Sequence, residues 1–116
     1  MKIKFETHHE KECINTNGTC LQGYLNASYE KLVELFGEPL EGNYKTDAEW
    51  EVQFSDGTIA TIYNWKDGKN YCGESGVDIF DIESWHVGGN SSRSELMVNL
   101  AIGNIPIGTT HWHTGF

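Results

Sequence analysis

Thirteen residues carry the densest chemistry in this chain: SWHVGGNSSRSEL, residues 84–96. A strand-like segment runs into two glycines, then Asn90, Ser91 and Ser92, then Arg93 and a helix-like run. A helix N-terminus presents unsatisfied N–H groups and a partial positive charge. Gly88 and Gly89 would let a ligand approach the backbone closely. Asn90, Ser91 and Ser92 add polar side chains, and Arg93 adds a fork suited to phosphate. Trp85 or His86 would stack on a base. The junction therefore reads as a local cradle for a phosphate or nucleotide. The competing reading is a glycine-rich turn with an ordinary N-cap, Arg93 being paired to Glu95 or solvated.

A second cluster enters a long glycine-rich segment at 66–76. Tyr63, Trp65 and Lys66, with Lys69 and Tyr71, place aromatic faces beside ammonium groups. That combination suits stacking on a base while neutralising a phosphate. The plainer alternative makes Tyr63 and Trp65 core residues and the lysines a solvated loop.

Other chemistries find less support. His8, His9, His111 and His113 would approach a metal site only if the termini met, and no Cys or carboxylate stands at diagnostic zinc spacing. No nucleophile elbow, HxxEH or P-loop occurs, and no cofactor motif. The expectation is a protein that is not an enzyme and carries no metal or cofactor. Glu49, Glu51, Asp78, Asp81 and Glu83 make a candidate acidic stripe for a basic partner; the alternative is a solvated face.

The bulk composition narrows the classes. The chain has 116 residues, 8 basic against 17 acidic, and a formal net charge of −9. Such a chain does not bind a nucleic-acid backbone over a broad surface, which needs a basic stripe. It suits a mimic of nucleic acid, a partner for a basic protein, or simple solubility. The size fits one domain over 1–116, and the 38% apolar fraction fits a folded core. No stretch is long and apolar enough for a membrane span, and MKIKFETHHE has no apolar signal region. A cytoplasmic location is expected. Cys13, Cys20 and Cys72 then read as free thiols rather than a disulfide.

The elements that must position these residues follow from periodicity. KIKFET (2–7) and TCLQGYL (19–25) read as strands forming an N-terminal hairpin with a long loop. Ser28 is a candidate N-cap; Tyr29, Leu32, Val33 and Phe36 share one helical face; Gly37 and Pro39 end the helix. In 48–54, Ala48, Trp50, Val52 and Phe54 point one way and Glu49, Glu51 and Gln53 the other. Ser55–Gly57 is a hairpin turn with Gly57 at positive φ. Residues 58–65 form the return strand, central because both its faces are apolar. Residues 81–87 give another strand. A second helix over 92–102 turns Leu96, Met97, Leu100 and Ala101 inward. The predicted fold is α+β: an antiparallel sheet of about five strands, order β-β-α-β-β-β-α, with two short helices on one face.

The blocks YEKLVELFGEP, DAEWEVQFSDGTIATIYNWK and ESWHVGG resemble a family of small bacteriophage proteins. Their pattern is a helix ending in FGEP, an EW strand, a DGT-ATIY hairpin and a terminal WHIGG or WHVGG. The match spans about residues 24–90. It implies a phage accessory protein acting against host defence in the host cytoplasm, and it carries over no catalytic set. The helix–Gly-x-Pro then strand–DGT–strand order is also similar to small inhibitor modules of the β-lactamase-inhibitor-protein type, a likeness of fold alone. On these grounds the expected function is sequestration of a nucleotide-type immune signal without turnover. Its pocket would be built from residues 85–93 and 63–71 and completed, if need be, across a homo-oligomer interface. The alternative is an acidic inhibitor of a basic host effector such as a CRISPR nuclease.

Overall fold

The computed structural model describes residues 4–8, 20–42 and 45–103, His8 by its backbone alone. The strands are β1 (Phe5–His8), β2 (Cys20–Asn26), β3 (Leu40–Glu41), β4 (Ala48–Phe54), β5 (Ile59–Tyr63) and β6 (Ser84–Gly89). The helices are α1 (Tyr29–Phe36), α2 (Lys69–Cys72) and α3 (Arg93–Ile102). One antiparallel sheet runs β1-β4-β5-β6-β2, with β3 also pairing β4. The fold is α+β. Among the described residues, no helix is long and apolar enough to cross a membrane.

The β4–β5 hairpin forms as its alternation and turn dictate. Gly57 sits at φ 93, and the Asp56 carboxylate accepts the Thr58 N–H at 2.9 Å. Tight turns of this kind place glycine where φ is positive. β5 lies between β4 and β6, as a strand apolar on both faces should.

Helix α1 has eight residues, too few to hold in isolation. Ser28 caps it by accepting the Lys31 N–H, and Gly37 (φ 85) closes it. Tertiary contacts do the rest. Leu32 and Phe36 are buried, and Phe36 meets Phe5 edge-on at 5.1 Å. Trp50 donates its indole N–H to the Gly37 carbonyl at 2.8 Å, and Trp85 donates its own to Ala27 at 2.9 Å. The two buried rings meet edge to face at 5.4 Å. They fasten both ends of α1 to one face of the sheet.

Helix α3 covers the same face. Its inward residues are Ser94, Met97 and Val98, with Leu96 and Leu100 only half-buried. Of the predicted stripe, Met97 is buried and Ala101 packs against the core, whereas Leu96 and Leu100 give way to Ser94 and Val98. The reason is Gly89. A Cβ there would stand 2.0 Å from the Ser94 hydroxyl oxygen. The bare glycine lets Ser94 drop onto β5 and donate to the Ile59 carbonyl at 2.6 Å. Further along, Glu95 accepts the Tyr24 N–H at 2.8 Å and Asn99 donates to the Tyr24 carbonyl at 3.4 Å. Helix side chains thus occupy main-chain groups of β2, an edge strand among the described residues. Covering an edge in this way blocks pairing with other chains.

Three further expectations are corrected, and one strand is added. β1 and β2 do not form a hairpin; they lie at opposite edges of the sheet. The eleven residues between them can reach roughly 36 Å, against about 19 Å for four strand spacings. Each strand then finds an apolar partner: Phe5 lies against Phe54, and Leu25 opposite Trp85. Strand β3, two residues long, carries too little pattern to see in sequence. The glycine-rich segment 66–76 is not plain loop, since it winds into α2 and a short 3-10 turn at Gly73–Ser75, and a second such turn follows at Ile79–Asp81. Finally, β6 starts at Ser84 and contains Gly88 and Gly89, which therefore belong to the sheet and not to a turn.

Gly89→Ala should destabilise the fold by about 1–3 kcal/mol, the cost of overpacking a close helix–strand contact. Urea denaturation measures it; an unchanged midpoint would contradict the contact's role.

Candidate functional site

The structure splits the predicted site in two. Strand alternation turns Trp85, Val87 and Gly89 toward the helices, and His86 and Gly88 the other way. Trp85 is 0% exposed, which closes its ring to stacking from outside; its work is to hold α1. Asn90 accepts the Ile59 N–H at 3.1 Å. The Ser91 hydroxyl accepts the Arg93 N–H at 3.2 Å, and the Ser91 carbonyl accepts the Ser94 N–H at 3.0 Å. Ser92 is helical in backbone and makes no side-chain cap. Two first-turn N–H groups that an anion would seek are thus already engaged.

Arg93 is also engaged. Its Nε and Nη2 both donate to Asp56 Oδ2, at 3.3 and 3.0 Å, so the partner is the β4–β5 turn and not Glu95. The Thr58 backbone N–H, helped by the Thr58 hydroxyl and then by Arg93, holds the Asp56 carboxyl below its usual range. The junction is a structural clasp. Gly88 is likewise hemmed in, a Cβ there falling 2.6 Å from the Thr61 hydroxyl oxygen.

The other half of the prediction converges on the sheet face turned away from α1 and α3. Trp65, Tyr63, His86 and Tyr24 form a row across β5, β6 and β2, with ring centroids 6.1, 5.5 and 5.1 Å apart. Strand register builds it: Tyr63 stands opposite His86, and His86 opposite Tyr24. Lys45 and Lys66 bring their ammonium groups to 5.4 and 5.6 Å from the Trp65 ring centre, and Lys66 also lies over Tyr71. Lys66 sits at φ 58, a left-handed conformation that ordinary side chains disfavour.

Beside this row opens a recess of about 260 Å³. Glu49, Glu51, Thr61, Tyr63 and Trp65 line it, with Cys20, Thr46 and Gly88. Both glutamates come from β4, opposite Tyr63 and Thr61. Thr46 donates to Glu49 Oε1 at 3.2 Å, and Glu51 is 6% exposed. Burial, then the Glu49 charge, raises the Tyr63 pKa, so its phenol stays a neutral donor.

Asn64, a residue the sequence did not single out, anchors this region. Fully buried, it accepts the Asp47 and Ala48 N–H groups at 2.7 and 3.3 Å and donates to the carboxylates of Asp47 and Asp67 at 3.0 Å each. No motif flags it; the only sequence sign is a polar residue inside an apolar strand pattern. The predicted acidic stripe divides. Glu49 and Glu51 line the recess, whereas Asp78 caps a 3-10 turn and lies 3.9 Å from Lys69. His9, His111, His113, Cys13 and the tail HWHTGF lie outside the described residues, as does the His8 side chain. Among the described residues no three metal-ligating side chains gather.

No protein-family model matches the sequence, and no curated protein matches it. The resemblance to small bacteriophage proteins rests on its sequence blocks alone.

The depressed Asp56 pKa sets a pH dependence. Its contribution is complete above the unfolded aspartate value of about 4 and is lost as pH falls through the lower folded value. The stability gap between the natural protein and Asp56→Asn, followed by urea denaturation, should be flat above about pH 5 and change below about pH 4. A gap that opened instead between pH 6 and 8 would contradict this assignment.

Proposed function

We propose that this chain is a non-catalytic acidic binding protein that holds a basic partner protein against the sheet face carrying Glu49 and Glu51. The observation that carries this reading is the recess itself: two carboxylates beside two aromatic rings, on the face opposite α1 and α3. Carboxylates attract a cation, and aromatic faces favour one over an anion. The net charge of −9 adds a long-range field that speeds encounter with a basic surface. Occupancy alone, without turnover, blocks such a surface. The phage resemblance supports a partner among basic host defence effectors and action in the host cytoplasm.

Sequestration of a nucleotide-type signal becomes the second reading. The engaged Arg93 and the buried Trp85 take away the part of its support that lay in the 85–93 junction. What favours it now is the pair of lysines at Trp65, where a phosphate would be met while a base stacked nearby.

The test is a charge-matched pair, Glu49→Gln on the recess and Glu34→Gln on the exposed side of α1. Binding of a fluorescent oligo-arginine peptide is read by anisotropy across a salt series. Glu49→Gln should weaken binding about five- to tenfold, roughly 1 kcal/mol or more, and Glu34→Gln less than about twofold. Equal losses would mean diffuse attraction to an acidic chain and would sink the reading.

A further inference from the structure

We infer that the recess between Tyr63 and Trp65 receives one arginine side chain of the partner, its guanidinium lying against Trp65 and paired with Glu49. This inference rests on the proposed function and specifies what that surface recognises.

Size comes first. At about 260 Å³ the recess falls below the roughly 300–1,000 Å³ of sites for whole small molecules, and it suits a single side chain. Chemistry comes next. One oxygen of Glu49 is engaged by the Thr46 hydroxyl, which orients the carboxylate at the recess wall. Tyr63 keeps its phenolic proton. Trp65 is 41% exposed and offers a ring face.

The protein itself shows what that ring accepts. Ammonium groups of Lys45 and Lys66 already stand over it, at 5.4 and 5.6 Å. They are stand-ins for an incoming cation. A guanidinium displaces an ammonium there because it is planar, more weakly hydrated, stacks on an indole and pairs with a carboxylate through two N–H groups. Of the two, Lys66 is the one whose removal can be tested cleanly: its φ of 58 is a conformation that suits glycine better, so glycine can replace it without backbone cost.

Lys66→Gly makes an opposite prediction for the two classes of ligand. Removing an ammonium that fills the cation position strengthens capture of a guanidinium and weakens capture of a phosphate.

The experiment compares labelled oligo-arginine and oligo-lysine peptides of equal length, with a nucleotide panel alongside. It uses the full chain and its Lys66→Gly, Trp65→Ala and Glu49→Gln variants, each checked for an intact thermal transition. The arginine peptide should bind at least fivefold tighter than the lysine peptide. Lys66→Gly should tighten the arginine peptide about three- to tenfold and Trp65→Ala should weaken it about tenfold. Equal affinity for both peptides, with Trp65→Ala silent, overturns the arginine pocket; if Glu49→Gln still weakens both, the acidic-surface reading survives alone. Should neither peptide bind measurably while a nucleotide does, and Lys66→Gly weaken that nucleotide, the pocket and the acidic-surface reading both fall. If Trp65→Ala does not fold, Lys66→Gly with the peptide comparison decides alone.

Discussion

Two tryptophans decide which face of this sheet is closed. Trp50 on β4 and Trp85 on β6 meet edge to face beneath α1, and their indole N–H groups bind the carbonyls at its two ends. Each ring removes on the order of 150–250 Å² from water. Each N–H satisfies a carbonyl flanking a helix end. An eight-residue helix has no stable existence alone, so this clamp sets its position. Because side chains alternate along a strand, the clamp has a second consequence. Glu49 and Glu51 flank Trp50, and His86 follows Trp85; all three are thrown onto the opposite face. The candidate site is the reverse side of the core.

The junction at Gly88–Arg93 shows how a packing device imitates a binding motif. Paired glycines before a helix signal close approach of something to the backbone. Here the something is Ser94 of the chain's own helix, not a ligand. The arginine expected to grip a phosphate grips Asp56, which ties the start of α3 to the β4–β5 turn. The exposed pair contributes little stability by itself, and it leaves the guanidinium spoken for. Sequence cannot separate these two uses of the same residue types, because the difference lies in which neighbour the fold brings near.

Much of the architecture was legible for physical reasons. Strict alternation in 48–54, the Asp56-Gly57 turn and the Ser28/Gly37 caps are local signals, and all three hold. Failures came where the information is non-local. Nothing in β1 or β2 says that they lie at opposite edges of the sheet; that follows from which apolar faces they complete. The site was half legible. Tyr63, Trp65, Lys66 and His86 do converge, yet their link to Glu49 and Glu51 depends on the register of β4 against β5. Asn64 went unread because its one sign, a polar residue at the end of an apolar strand, does not say which loop the amide satisfies.

The resulting face is mixed in charge, with carboxylates in the recess and lysines at one end of the aromatic row. We propose that it prefers a cation to an anion. The most direct measurement is amide and indole chemical-shift mapping by NMR, titrating an arginine-rich peptide and a nucleoside phosphate in parallel. The peptide should shift residues 49–51, 61–65 and 86, including the Trp65 indole N–H, and leave 89–94 unmoved. Shifts centred on 89–94, caused by the nucleotide and not the peptide, would contradict it.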